Sequence, residues 1–155
     1  MRIIIFTEGT ILMHKSAIKH SREEIVRQVI DKDLSVRDYA NYVPIGGAVE
    51  KIKNWADQGA EIIYMTSRKN KKEIDEIQKV LDQNNFPKGM LEYRKDDEEY
   101  KDVAERIKPD ILIEDDCESI GGLKEMTYPH ISEKLRKSIK SIVVKEFSGI
   151  DNIKI

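Results

Sequence analysis

Ile3-Ile4-Ile5-Phe6-Thr7-Glu8-Gly9-Thr10 follows Met1-Arg2 at the start of the chain. Four apolar residues run without alternation into a polar turn that holds a glycine. A strand apolar at every position is buried on both faces, as in a parallel sheet covered by helices. The same cadence returns downstream. Glu61 to Thr66 reads as a second strand, ending at Thr66-Ser67-Arg68. Met90 to Tyr93 reads as a third. Asp110 to Glu114 reads as a fourth and runs into Asp115-Asp116. Ile139 to Val144 reads as a fifth.

The segments between these runs carry helical spacing. Ser21 followed by Glu24 is a capping box, opening a helix to about Ile30 with Ile25, Val26, Val29 and Ile30 on its apolar side. Ser35 to Tyr42 is a second, shorter helical stretch. Ala48 to Asp57 repeats Val49, Ile52, Trp55 and Ala56 at helical intervals, and Gly59 stops it. Lys71 to Asn84 aligns Ile74, Ile77, Val80 and Leu81. Glu98 to Ile107 and Ile131 to Ser138 complete the set. Alternating strands and helices predict an α/β domain with a mostly parallel, five-stranded sheet and helices on both faces. Right-handed crossovers then bring the carboxyl ends of the strands to one edge, where such sheets bind ligands. Glu8, Thr66, Arg68, Asp115 and Asp116 all fall just after a strand.

Composition narrows the function. The 155 residues fit one domain, 1–155, and 36% of them are charged. Twenty-seven Lys and Arg against 29 Asp and Glu leave a net charge of −2, which argues against a nucleic-acid or acidic-membrane binder. The longest apolar run is four residues, too short to span a bilayer or to form a signal-peptide core. Cys117 is alone, which excludes an internal disulfide and a thiol-rich zinc site. The expectation is a cytoplasmic protein of one domain.

Four separated segments matter together: Phe6-Thr7-Glu8-Gly9-Thr10, Thr66-Ser67-Arg68, a lysine ahead of the fourth strand, and Glu114-Asp115-Asp116. In order and spacing they resemble the haloacid dehalogenase (HAD) superfamily of phosphatases, over most of the chain from Ile3 to Val144. That resemblance implies a HAD-like Rossmannoid three-layer fold. The family carries Asp-x-Asp-Gly-Thr on its first strand, a Thr or Ser after the second, then a lysine, then paired acids after the fourth. The first Asp attacks phosphorus, and the second exchanges a proton with the leaving group and water. The hydroxyl and the lysine hold phosphoryl oxygens, and the paired acids hold Mg2+.

Carried onto this chain, Gly9 and Thr10 fix the register. Glu8 then stands at the acid/base position, one methylene longer than the family's Asp, and Phe6 stands at the nucleophile position. A phenyl ring neither attacks phosphorus nor binds a metal. Thr66, Ser67 and Arg68 take the phosphate-binding role, with Lys101, fourteen residues before Asp115, as the lysine and Lys95 as its competitor. Asp115 and Asp116, with Glu8, are the expected metal ligands, and Glu114 is a further candidate. About forty residues separate the first motif from the helix before the second, leaving room for a short helical insertion at about 16–44, a small or absent cap.

The reading that follows is a degenerate phosphatase-fold protein. It binds a phosphorylated small molecule, Mg2+ or both, with little or no phosphomonoesterase turnover. One alternative is an active metal-dependent phosphohydrolase with Glu8 as general acid/base. Another is a non-catalytic structural or regulatory protein. His14, His20 and His130 show no metal spacing. Cys117, beside two acids, is expected to have a raised thiol pKa and low reactivity. Gly46-Gly47 and Gly121-Gly122 read as turns, and Arg68 to Lys72 as a basic helix start.

Overall fold

The computed structural model describes residues 1–155. β1 (Arg2–Phe6) leads to the short β2 (Leu12–Met13), a 3-10 turn at Lys15–Lys19 and α1 (Arg22–Ile30). Two further 3-10 turns, Leu34–Arg37 and Tyr39–Asn41, precede β3 (Val43–Pro44). Then come α2 (Ala48–Asp57), β4 (Glu61–Met65), α3 (Lys71–Gln83), β5 (Met90–Glu92), α4 (Tyr100–Ile107) and β6 (Ile111–Asp115). Turns at Gly122–Lys124 and Tyr128–His130, α5 (Glu133–Arg136) and β7 (Lys140–Val144) complete the order.

The main sheet has the strand order β5-β4-β1-β6-β7, and every neighbouring pair is parallel. β2 and β3 form a separate antiparallel pair. β1 lies at the centre, where the order reverses, and Ile3, Ile4 and Ile5 are fully buried. Side-chain alternation divides the core. Ile3, Ile5, Ile62, Tyr64, Ile111 and Ile113 pack with Ile52 and Trp55 of α2 and Ile77 and Leu81 of α3. Ile4, Ile63, Met65 and Leu112 face the other way, onto Val103 and Ala104 of α4 and onto Ile131 and Ile139. The sheet is thus covered on both faces, which is why its central strands read as unbroken apolar runs. No helix is long and apolar enough to cross a membrane.

The capping box at Ser21 forms as expected: the Glu24 N–H donates to the Ser21 hydroxyl at 3.3 Å, and the Ser21 N–H to the Glu24 carboxylate at 2.8 Å. Elsewhere the local structure is tighter than helical spacing implied. Ser35 to Tyr42 is two 3-10 turns broken at Asp38, not one helix. In a 3-10 turn residues three apart eclipse. Tyr39 and Tyr42 therefore lie side by side, ring centroids 5.3 Å apart and both buried. Ile131 to Ser138 contributes only the single turn of α5, because Ile131 is drawn into the core ahead of it. α4 begins at Tyr100, two residues later than expected, where the Glu99 N–H donates to the Asp102 carboxylate at 2.8 Å.

Candidate functional site

The carboxyl ends of β1, β4 and β6 open into one cavity of about 300 Å3, lined by Phe6, Glu8, Ser67, Arg68, Asp115 and, from the last turn, Glu146. Residues more than 100 positions apart meet there because β1 pairs with both β4 and β6. Tyr39, Tyr42, Tyr100 and Phe147 supply aromatic wall.

Glu8 is the most heavily engaged side chain. Its carboxylate accepts from the Thr66 hydroxyl at 2.8 Å, from the Ser67 hydroxyl at 3.1 Å and N–H at 3.4 Å, and from the Thr7 hydroxyl. It also pairs with the Arg68 Nε at 3.1 Å. Arg68 lies 4.6 Å over the Tyr39 ring, donates to its hydroxyl and reaches the Ser67 hydroxyl at 2.7 Å. Thr66, Ser67 and Arg68 therefore converge as an anion-holding set, and the anion they hold is Glu8. Glu8 is held on these donors and is not among the acids that gather after β6.

Those acids gather without Glu8. Asp115, Asp116 and Glu146 can each present an oxygen within 4.8 Å of the others. Asp115 accepts from the Thr10 hydroxyl at 2.7 Å and the Cys117 N–H at 3.0 Å. Glu146 accepts from Ser119 N–H and hydroxyl at 2.7 and 2.6 Å. Glu114 turns elsewhere: its carboxylate accepts the Thr127 and Tyr128 N–H groups at 2.6 and 2.9 Å, holding the turn that follows. Carboxylate oxygens are the hard donors Mg2+ takes, so the three acids fit such an ion.

Burial raises Glu114, Asp115 and Glu146 above the ordinary carboxylate range, and their mutual repulsion adds to this. A carboxyl whose pKa is higher folded than unfolded stabilises the fold at low pH and loses that contribution as pH rises through the raised value. Between the ordinary values near 4 and neutrality, stability contributed by this cluster should fall with rising pH. Urea melts at pH 5 and pH 7.5 check this, and the pH slope should shrink in Asp115→Asn. The Cys117 thiol is likewise pushed well up by burial and by Asp115, matching its expected inertness.

Phe6 takes a place in the cavity wall, its ring edge-on to Tyr100 at 5.1 Å. Arg94 sits 4.0 Å over the Tyr100 ring and also lines the cavity. Its buried Nε has no hydrogen-bond partner. Lys101 stays outside, in an adjoining cavity of about 190 Å3, with its ammonium 2.8 Å from Glu99. Lys95 is exposed. Among the charged residues lining the cavity, the motifs passed over Arg94 and Glu146, which follow strands, and Glu125, from the turn at Gly122–Lys124. The only sequence signal of Arg94 and Glu146 is position, just after the third and fifth strands.

The solved structures most like this one include the class C acid phosphatase from Bacillus anthracis, at 13% identity and TM-score 0.59, covering 96% of this chain and 67% of that one. The same enzyme with tungstate bound gives 14% identity and TM-score 0.58, covering 96% and 68%. No curated protein matches the chain. The family model described as "PITM 1-3, LNS2 domain" matches residues 26–114, more than half of the chain. With its five-stranded parallel sheet and strand-end acids, the chain has a HAD-like phosphatase fold and belongs to the family of PITM 1-3 LNS2 domains.

Proposed function

We propose that this domain, taken as a single unit over 1–155 with residues 16–44 as a small cap, binds a phosphorylated small molecule together with a divalent cation, with little or no phosphomonoester turnover. The observation that carries this is Phe6 in the wall of a cavity that otherwise joins an anion-holding set to an acidic group. A phosphoryl group seated there meets a phenyl ring where the fold's nucleophile would stand, so no covalent phospho-enzyme can form.

The roles divide by chemistry. Ser67 and Arg68 on the cavity wall, with the buried Thr66 hydroxyl behind them, supply donors to phosphoryl oxygens, and Arg94 adds a second cationic residue to the lining. This assigns to Arg94 the cationic role expected of Lys101. Asp115, Asp116 and Glu146 would hold Mg2+, which neutralises phosphate charge when bound. Tyr39, Tyr100 and Phe147 favour a ligand whose remaining part is apolar or aromatic. Glu8 as a general base finds little support, since its carboxylate is already shared among four residues.

Isothermal titration with MgCl2, then with inorganic phosphate in Mg2+, checks the reading. Asp115→Asn should weaken Mg2+ uptake by at least about ten- to a hundredfold, the loss that follows removal even of groups that only support a ligand. Arg94→Ala should weaken phosphate but not Mg2+. Absence of uptake of either ion by the wild-type chain would count against the proposal.

A further inference from the structure

We propose that Glu8 is a built-in competitor, its carboxylate occupying the place on Thr66, Ser67 and Arg68 that a ligand's anionic oxygens would take. The proposal rests on the phosphate-binding reading above and deepens it, since it names the residue that sets affinity and selectivity for the anion.

The geometry is that of a bound ligand. The Glu8 side chain is only 13% exposed and receives hydroxyl, backbone and guanidinium donors from three consecutive residues after β4. A free phosphate or carboxylate would be bound by the same kinds of donor. The reach depends on side-chain length. The turn that carries Glu8 is pinned by the Gly9 N–H to the Leu12 carbonyl at 2.9 Å and by the Thr10 hydroxyl to Asp115 at 2.7 Å. With the backbone so fixed, an aspartate would fall about 1.5 Å short, one C–C bond.

An incoming phosphate faces two costs at this set. It must displace Glu8 from its donors, and it brings negative charge to a negative side chain that has few places to go. The apparent affinity is the intrinsic affinity reduced by the fraction of molecules in which Glu8 has swung out. Arg94, which also lines the cavity and makes no ion pair with Glu8, remains a cationic contact for a ligand while Glu8 stays in place. The site therefore discriminates against small free anions. It favours a ligand with further contacts on the aromatic wall, whose binding can offset displacement of Glu8.

The test is inorganic phosphate binding, by titration and by thermal melting, to the wild-type chain, Glu8→Ala and Glu8→Ala/Thr66→Val. Glu8→Ala should bind phosphate at least about tenfold tighter than wild type, the gain expected when an internal competitor held in nine of ten molecules is removed. The added Thr66→Val should take that gain away. Glu8→Ala should also melt lower than wild type, because half-buried Arg68 loses its counter-charge. Phosphate should restore its melting temperature more than it shifts wild type. If Glu8→Ala is poorly folded, Glu8→Gln, which keeps the length and removes the charge, carries the same comparison. Measurable but equal affinity in wild type and both Glu8 variants overturns the competitor and leaves the phosphate-binding reading standing. No phosphate uptake by any of the proteins overturns that reading, and the competitor with it.

Discussion

Phe6→Asp is expected to raise Mg2+ affinity by at least about tenfold if, as proposed, Phe6 stands where the fold's nucleophilic carboxylate would, because the change adds a carboxylate to the acidic group. The change has a cost in the metal-free protein. The Phe6 ring packs edge-on against Tyr100 and against the core around Ile4 and Met65. Removing a buried phenyl group typically costs about 3–5 kcal/mol. Phe6 is only partly buried, so the lower end applies to packing, while repulsion from Asp115 adds to it. Mg2+ at a hundred times its dissociation constant returns about 2.7 kcal/mol. The variant should therefore melt well below wild type in EDTA and recover most of the loss in excess Mg2+. Wild type should respond far less. Melting curves with and without Mg2+, supported by titration, check this. An unaltered Mg2+ response would mean that residue 6 does not face the metal position.

The second large effect falls on Gly9. Its φ is +83°, a region where an L side chain is strained by about 1–2 kcal/mol. A methyl group there would also sit 2.9 Å from Asp115 Oδ2 and 3.3 Å from Glu146 Cγ. Both acids are buried and hydrogen-bonded, so neither can step aside freely. Gly9→Ala is expected to cost about 2–4 kcal/mol, strain and contact together. It should also weaken Mg2+ binding, because the group pushed aside is the proposed ligand. Asp115→Ala removes the nearest obstacle, so the cost of Gly9→Ala should shrink in that background, leaving the backbone strain and the lesser contact with Glu146. Chemical denaturation of the four proteins of this cycle reads the coupling. Strict additivity would contradict the close packing of Gly9 on Asp115.

These particulars show what a sequence reveals and what it withholds. The unbroken run Ile3 to Phe6 announced a strand covered on both faces, and the polar residues after each strand announced a shared edge. Such signals are local, carried by hydrophobic periodicity and turn chemistry. The direction of a side chain is not local. Glu8 was legible as a strand-end acid, but its engagement with Thr66, Ser67 and Arg68 rather than with the acidic group is set by the three-dimensional arrangement of the strand ends. Glu146 enters the acidic group only because β7 pairs with β6, which returns the chain to that edge. Arg94 reaches the cavity by stacking on Tyr100, and Lys101, one residue further along α4, is carried past the rim to Glu99. Near Tyr39 and Tyr42, a helical spacing of apolar residues also satisfied a 3-10 turn, and burial of the two rings decided between them.

Hydrolysis of p-nitrophenyl phosphate in Mg2+, compared between the wild-type chain and Asp115→Ala, addresses the central claim most directly. Loss of a nucleophile commonly lowers turnover by about a millionfold. The account predicts no release of p-nitrophenol by wild type above that of the variant. A robust Mg2+-dependent rate in wild type that disappears in Asp115→Ala would contradict it.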